Sequence, residues 1–392
     1  MLYSRHDLCG FDSSILNWGR ERILALFKRK EPMLGIDISP SAVKVVELSR
    51  SGSRFRVEAF GIESLGEGMM EDRNPADPDA VGEVIKRVCR NAGTRNRRAA
   101  VAVPTSSVIN RIVPLPVEFK ESDIEANIAI EAAQYIPYPV EEVYLDFQAR
   151  GRSSSSAEQQ DVLLVATRKE NVDLREEAIK AAGLTPTVVD VEAYALENMF
   201  RLVMDSLSHG GGSEGGGLSL SKAHDSLTAL IDIGAVIANL YVLQEDQIIF
   251  SREQSFGCDL LTSRIADAYS LSRDQAERAK RTGQVSDDYA PLVLDPFKQM
   301  LAEQIGHALQ FFFSADIFVA GHYTVDNLVL VGGGAMLPGL DRVVADVLGI
   351  TTLVANPFKN MGSATRVNSS ALMRDAPLLA VATGLALRSF DA

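Results

Sequence analysis

One pattern occurs twice in the chain, with its Asp at position 37 in the first copy and at 232 in the second, and this repeat constrains the fold more than any other feature. The copies are Gly35-Ile-Asp-Ile-Ser-Pro-Ser-Ala-Val-Lys-Val-Val-Glu-Leu48 and Leu230-Ile-Asp-Ile-Gly-Ala-Val-Ile-Ala-Asn-Leu-Tyr-Val-Leu243. Each is an apolar strand carrying one Asp, a short turn of small residues, and a second, β-branched strand. Each then turns, at Ser51-Gly52 or Glu245-Asp246, into a third strand near 55–59 or 248–250. Two such units imply two related lobes. Helical periodicity fills the space between them. Residues 79–91 set Val81, Val84, Ile85 and Val88 on one face. Residues 122–135 open on Ser122, with Glu125 three positions on, and end before Pro137. Residues 171–182 stop at Gly183. Further strands are predicted near 99–103, 108–113, 145–150, 161–166 and 185–190. Strands and helices interleaved along the whole length give an α/β fold, and 392 residues exceed what one core usually supports.

The repeated turns have a chemistry. A turn that cradles phosphate needs small residues, so that backbone N–H groups can approach the oxygens. It also needs an acid nearby to hold Mg²⁺, usually through water. Asp37, Ser39 and Ser41 meet this need in the first copy; Asp232, Gly234 and Ala235 meet it in the second. Lys44, on the strand leaving the first turn, supplies a point charge for phosphate. A single such hairpin would read as an Asp capping its own turn; two in register weaken that explanation. A third element follows in Val329-Leu-Val-Gly-Gly-Gly-Ala-Met-Leu-Pro-Gly-Leu340, where an apolar strand runs into Gly332, Gly333 and Gly334 and a helix is expected from about Pro338. Alone this is a weak signal; after two Asp hairpins it is informative.

Composition narrows the remaining classes. With 52 acidic against 39 basic side chains the formal net charge is −13, and no basic stripe with interleaved aromatics is present, which argues against a nucleic-acid partner. Cys9, Cys89 and Cys258 lack metal or redox spacing and read as thiols of a reducing compartment. The longest apolar stretch, 227–243, contains Asp232, Gly234 and Asn239 and suits buried strand. Residues 23–27 are too short an apolar run for a secretory signal. A cytoplasmic protein is the expectation.

The order of Asp hairpin, Asp hairpin and Gly-rich turn resembles the actin/Hsp70 superfamily, with its first phosphate loop, second phosphate loop and adenosine loop. The resemblance implies a two-lobed, actin-like (ribonuclease H-like) fold that binds ATP with Mg²⁺, the metal near Asp37 and Asp232 and the adenosine against Gly332, Gly333 and Gly334. Gln275-Ala-Glu-Arg-Ala-Lys-Arg281 is similar to the helix that holds ribose and adenine in that superfamily. This implies Glu277 on the ribose and Lys280 or Arg281 over the base; equally, the same residues form an exposed helix face with Glu277 and Arg281 paired at i, i+4. Glu192 stands where the superfamily often carries the residue that orients attacking water, and Asp190 beside it is the second catalytic candidate.

Within that superfamily, Glu131-Ala-Ala-Gln-Tyr-Ile-Pro-Tyr-Pro-Val-Glu-Glu-Val-Tyr-Leu-Asp146 resembles the signature of the PilM family of type IV pilus assembly. Asp190-Val-Glu-Ala-Tyr-Ala-Leu-Glu-Asn198 and Leu26-Phe-Lys-Arg-Lys30 are similar to the same family. The resemblance implies a first lobe core at 33–105 with a returning segment at 190–205, and an inserted small α/β subdomain at 106–189, FtsA-like (SHS2-like). It implies a second lobe core at 225–260 and 328–392 around a helical insertion at 261–327. Residues 1–32 are then an N-terminal extension, and the Gly/Ser-rich 206–224 a connector. It further implies a cytosolic scaffold at the inner face of the inner membrane. That scaffold binds the N-terminal cytosolic peptide of PilN, works with other pilus components including the motor ATPase, touches the membrane only through its partner, and has self-association open to it. Tyr135, Ile136 and Pro137 are the candidates near the peptide groove, or equally a helix terminus packed in a core.

Departures from the family pattern bear on mechanism. The second phosphate loop usually offers Ser or Thr hydroxyls after its Gly, whereas here Val236, Ile237 and Ala238 follow Ala235. Only backbone donors remain there, so ATP binding with weak or no hydrolysis is expected. The same loss argues against the alternative of a small-molecule kinase. The ending Ser389-Phe-Asp-Ala392 lacks the amphipathic helix expected of a membrane-tethered FtsA-like filament protein.

Overall fold

The two Asp-bearing repeats become the centres of two sheets. The computed structural model describes residues 32–153, 156–209, 227–244, 246–314 and 324–391. The N-terminal extension and most of the Gly/Ser-rich connector therefore lie outside the described residues. The first repeat forms β1 (Leu34–Ile38) and β2 (Ala42–Ser51), which pair antiparallel and continue into β3 (Arg54–Ser64). A short hairpin, β4 (Met70–Glu71) and β5 (Asn74–Pro75), leads to helix α1 (Pro78–Ala92). Asp77 caps that helix by accepting from the Ala80 N–H, Pro78 opens it, and Gly93 at φ 71° ends it. β6 (Arg98–Val103) then lies parallel to β1.

A separate three-stranded sheet comes next, built from β7 (Val108–Pro116), β8 (Val143–Arg152) and β9 (Gln159–Arg168) in the order β7-β9-β8. Helix α2 (Glu121–Ala132) covers one face through Ile124, Ile128 and Ala132. It begins one residue earlier than the sequence suggested. The Asp123 carboxylate accepts from the Lys120 N–H at 2.9 Å, so the side-chain bond at this helix start comes from Asp123 rather than from Ser122 and Glu125. Helix α3 (Lys169–Ala181), β10 (Thr185–Val191) and helix α4 (Glu192–His209) return the chain to the first sheet, whose full order includes β10-β6-β1-β2-β3.

The second repeat forms β11 (Leu227–Ile233) and β12 (Ala238–Gln244), antiparallel, followed by β13 (Gln247–Gln254). The long apolar stretch is thus two strands around a turn at Gly234–Ile237. Helices α5 (Asp259–Tyr269), α6 (Arg273–Thr282) and α7 (Asp295–Ser314) intervene before β14 (Val325–Val331) lies parallel to β11. Helix α8 (Leu340–Leu348) starts two residues after Pro338, because the chain first makes a tight turn over Gly333–Met336. β15 (Thr351–Val354) completes a sheet of order β13-β12-β11-β14-β15. The last segment crosses back: β16 (Gly362–Ser363) pairs with β3, and helices α9 (Ser369–Arg374) and α10 (Ala380–Leu387) follow.

Helices α1 and α3 pack together on one side of the first sheet, while α4 and α10 pack between the two sheets. One apolar cluster joins Ala195, Met199, Val381 and Leu385 of those helices to Val43 and Val101 of the first sheet and to Leu230, Tyr241 and Val329 of the second. This shared interior joins the two halves. Two α/β lobes around a common helical layer is the actin-like arrangement that the resemblance implied. Among the described residues no helix is long and apolar enough to cross a membrane.

Candidate nucleotide site

The central parallel strands of the two sheets, β10-β6-β1 and β11-β14-β15, end toward one cleft. β1, β6 and β10 finish at Ile38, Val103 and Val191; β11, β14 and β15 finish at Ile233, Val331 and Val354. The crevice outside the carboxyl ends of such strands is where ligands of α/β sheets bind. Asp37, Glu192, Asp232 and Gly332 all lie at this edge.

In the first hairpin, Asp37 and Lys44 are cross-strand neighbours in the β1–β2 ladder. Both are buried, with 6% exposure each. Lys44 Nζ lies 2.7 Å from Asp37 Oδ2 and 2.9 Å from Ser39 Oγ, so the ammonium is held at the turn before any ligand arrives. The Ser39 hydroxyl donates to the Ala42 carbonyl, and the Ser41 carbonyl accepts from the Leu65 N–H. Both serines therefore shape the turn, and Ser41 is exposed at its tip.

The second hairpin is tied down differently. The Gly234 N–H donates to the Ile237 carbonyl, while the Gly234 and Ala235 carbonyls accept from the N–H groups of Cys258 and Asp259 at the start of α5. A Cβ on Gly257 would stand 2.3 Å from the Ala235 oxygen, so the loop and the helix start fit only without a side chain. The Asp232 carboxylate makes no hydrogen bond or ion pair among the described residues. Burial pushes it up to about 7, with the charge of Glu192 adding and Lys44 opposing. Asp37 and Arg73 act on it as well, so the charges of the two repeated motifs are coupled.

This acid sets a sign for pH dependence. Its pKa in the fold stands above the ordinary value of 3.8. Folding therefore favours the protonated form, and that stabilisation fades as pH rises from the ordinary carboxylate range to about 7. Asp232→Asn should flatten that slope in metal-free urea unfolding curves measured across this window. An unchanged slope would show that the carboxyl titrates in its ordinary range.

A hard cation suits this place. Among the described residues no group of three or more acidic, His or Cys side chains could cage a metal. Mg²⁺ usually keeps several waters and takes one or two carboxylates plus phosphate. An unpaired carboxylate beside a glycine cradle fits such an ion.

The glycine triplet divides its work. A Cβ on Gly332, at φ 81°, would fall 2.4 Å from Asp232 Oδ1, and one on Gly334 would fall 2.2 Å from Ile233 Cγ2. These two glycines let the strand ends of β11 and β14 close on each other. Gly333 alone is partly exposed. Beside the turn lies a cavity of about 290 Å³ lined by Ala335, Met336, Asn356, Met373, Arg374 and Pro377. Sequence reasoning missed those last four residues, because they come from two later segments that only folding brings to the Gly turn.

Glu277, Lys280 and Arg281 on α6 form one network. Glu277 accepts from the Thr262 hydroxyl at 2.8 Å and pairs with Lys280 at 2.6 Å and Arg281 at 3.0 Å. Burial opposes its ionisation, but Lys280 and these hydrogen bonds outweigh it and hold the carboxyl below the ordinary range. Lys280 also donates to the Cys258 carbonyl, and Cys258 Sγ would lie 3.0 Å from a Cβ on Gly334. The local salt-bridge reading is thus realised, and the network still sits against the second loop and the Gly turn.

The two catalytic candidates differ. Asp190 is fully buried and grips Arg388 through both carboxylate oxygens, which anchors the chain's last helix. Glu192 opens α4 and is held by Arg73, Nη2 to Oε2, at 2.7 Å. Arg73 had no signal in the sequence beyond that of a turn residue. Of the three partner candidates, Tyr135 is 40% exposed and Pro137 is exposed, while Ile136 is 6% exposed in the core of the small sheet. Ile136 anchors the segment from below and is not available at its surface.

Comparison with known proteins bears on the family and the fold. The family described as type IV pilus assembly protein PilM matches residues 35–390. A chain of the solved PilM-PilN type IV pilus biogenesis complex is 30% identical, with a TM-score of 0.72, covering 93% of this chain and 100% of that one. The ethanolamine utilization protein EutJ from Carboxydothermus hydrogenoformans is 14% identical with a TM-score of 0.55, covering 91% of this chain and 89% of that one. At that identity EutJ shows likeness of fold alone.

Proposed function

The chain belongs to the PilM family of type IV pilus assembly proteins, and from that premise we propose that it is an ATP-binding scaffold of the pilus assembly platform that docks the N-terminal cytosolic peptide of PilN. The observation that supports nucleotide binding best is the meeting of the Asp37–Lys44 hairpin and the Asp232 loop across one cleft. In this reading Lys44 and the backbone N–H groups of the two turns take the phosphates, as oriented donors at strand ends do. Ser39, Ser41, Gly234 and Ala235 shape those turns. Asp232 holds Mg²⁺ through water, with Asp37 facing it across the cleft. The Gly333 turn, Met336 and the neighbouring cavity take the nucleoside, with Glu277, Lys280 and Arg281 on its other flank.

Hydrolysis is expected to be slow. No hydroxyl follows directly after Ala235, and Glu192, the carboxylate that would orient water in this reading, is already bound by Arg73. A scaffold needs occupancy rather than turnover, because occupancy is enough to fix the angle between two lobes.

The partner reading rests on the family and on the related chain's presence in a PilM-PilN complex. Tyr135 and Pro137 stand exposed beside Tyr138 at the end of α2, and exposed aromatics are frequent anchors of interfaces. Through PilN the chain would sit at the inner face of the inner membrane. The test is titration of a PilN N-terminal peptide onto the purified protein, with and without ATP·Mg²⁺. Binding is expected, and Tyr135→Ala should weaken it by about tenfold. No binding in either condition would sink the scaffold reading, and full affinity of the variant would move the anchor elsewhere.

A further inference from the structure

The β4–β5 hairpin has no counterpart in the repeated motifs, yet its turn is held by several partly buried hydrogen bonds. Asp72 and Arg73, neither of them glycine, both adopt left-handed backbone, at φ 45° and 66°. Such residues persist only where their surroundings hold them. The brace is Arg175, which is 1% exposed. Its guanidinium donates to the Arg73 carbonyl at 2.6 Å, to Asn74 Oδ1 at 2.6 Å, and to the carbonyls of Ala102 and Asn171. The amide of Asn74 in turn donates to Asn171 at 2.9 Å.

What this rigid tip presents is a single guanidinium between two carboxylates from opposite lobes. Arg73 lies 2.7 Å from Glu192 at the start of α4 and 2.7 Å from Glu253 on β13. Its Nε–H is buried without a partner among the described residues. We propose that Arg73 is a charge clasp that sets the spacing of the two lobes and gives up its Glu253 arm when polyphosphate enters the cleft. The two arms are unequal. Glu192 has a side-chain exposure of 11% and Glu253 one of 32%, so water competes more for the second and a phosphate displaces it first. The site lies within the field of Arg73, since that guanidinium already acts on Asp232. A planar fork with a spare N–H suits phosphate oxygens. The response to phosphate rests on the nucleotide reading above; the clasp itself rests on geometry alone.

The experiment measures the distance between spin labels on exposed Glu83 of α1 and exposed Asp346 of α8, in the full chain, with and without ATP·Mg²⁺. Glu253→Gln is the main variant, because it leaves Arg73, Glu192 and both phosphate turns in place. In the wild type, ATP·Mg²⁺ should shift the distance distribution. In nucleotide-free Glu253→Gln the distribution should already lie near the ATP-bound one, and the further shift with ATP should shrink by about threefold or more. Arg73→Ala should behave alike without nucleotide. Nucleotide-free distributions identical to wild type in both variants would overturn the clasp. A wild-type chain that binds no ATP in calorimetry would overturn the nucleotide reading and the phosphate response, while the nucleotide-free distances would still decide the clasp. Weaker ATP binding by Arg73→Ala with unchanged distances would make Arg73 a phosphate ligand only, which also overturns it.

Discussion

Gly384→Ala should lower the stability of the chain by about 3 kcal/mol or more, as read from urea unfolding without nucleotide. A Cβ at this position would stand 1.8 Å from the Ala195 carbonyl oxygen and 2.4 Å from its carbon. Both obstacles are backbone of α4, so no rotamer change relieves them, and the crossing of α4 and α10 must open. The gain of about 1 kcal/mol that alanine usually brings inside a helix is too small to offset this. Gly306→Ala in α7 is the internal control. There the nearest atom is the terminal Cδ2 of Leu348 at 2.9 Å, which can swing aside. That variant should stay within about 1 kcal/mol of wild type. Equal stabilities for the two variants would mean that the helices do not approach as closely as described. The crossing matters to the site because α4 begins with Glu192 and α10 leads to Arg388, which grips Asp190. Loosening it should therefore disturb the cleft edge together with the fold.

How much of this could be read from the sequence depended on whether a feature was local. Asp37 and Asp232 were legible because each sits in a short strand–turn–strand unit, and the unit occurs twice. The helix 79–91 was legible from apolar spacing and the helix 171–182 from its stop at Gly183, and their observed ends differ by one or two residues. The Gly triplet was legible as a turn, but its division of labour was not. That Gly332 and Gly334 serve the packing of β11 against β14 follows only from distances to Asp232 and Ile233. The i, i+4 partner of Glu277 could be read off the helix, whereas Thr262 on α5 could not. Arg73 and Arg175 were invisible for the same reason. Glu71-Asp72-Arg73-Asn74-Pro75 reads as an ordinary polar turn, and Arg175 as one charge among several on α3. Their meaning lies in contacts between residues about a hundred positions apart, which no periodicity records. Ile136 is a different case: of the two roles open to it, groove residue or helix terminus packed in a core, the fold gives it the second, in the core of the small sheet.

The largest functional effect is expected at the buried Lys44–Asp37 pair. Lys44→Met should weaken ATP·Mg²⁺ binding by about a hundredfold or more, because the phosphates lose an ammonium that the fold has already positioned. The same change should also destabilise the nucleotide-free chain. Asp37 loses its partner at 2.7 Å while remaining buried, and its charge still acts against that of Asp232. Breaking a buried pair from one side costs about 3 to 5 kcal/mol. Stability and binding then separate in the double variant. Asp37→Asn with Lys44→Met removes both charges at nearly constant volume, so no uncompensated charge is left inside, and stability should return to within about 1 kcal/mol of wild type. Binding should not return, since neither group that the phosphates and their cation need is restored. Calorimetry with ATP·Mg²⁺ and urea unfolding on the three proteins decide this. Wild-type affinity in Lys44→Met would remove Lys44 from the phosphate site. A double variant as unstable as the single one would show that the pair is held by its surroundings rather than by its opposite charges. Recovery of stability without recovery of binding is the result that makes this pair a site rather than a brace.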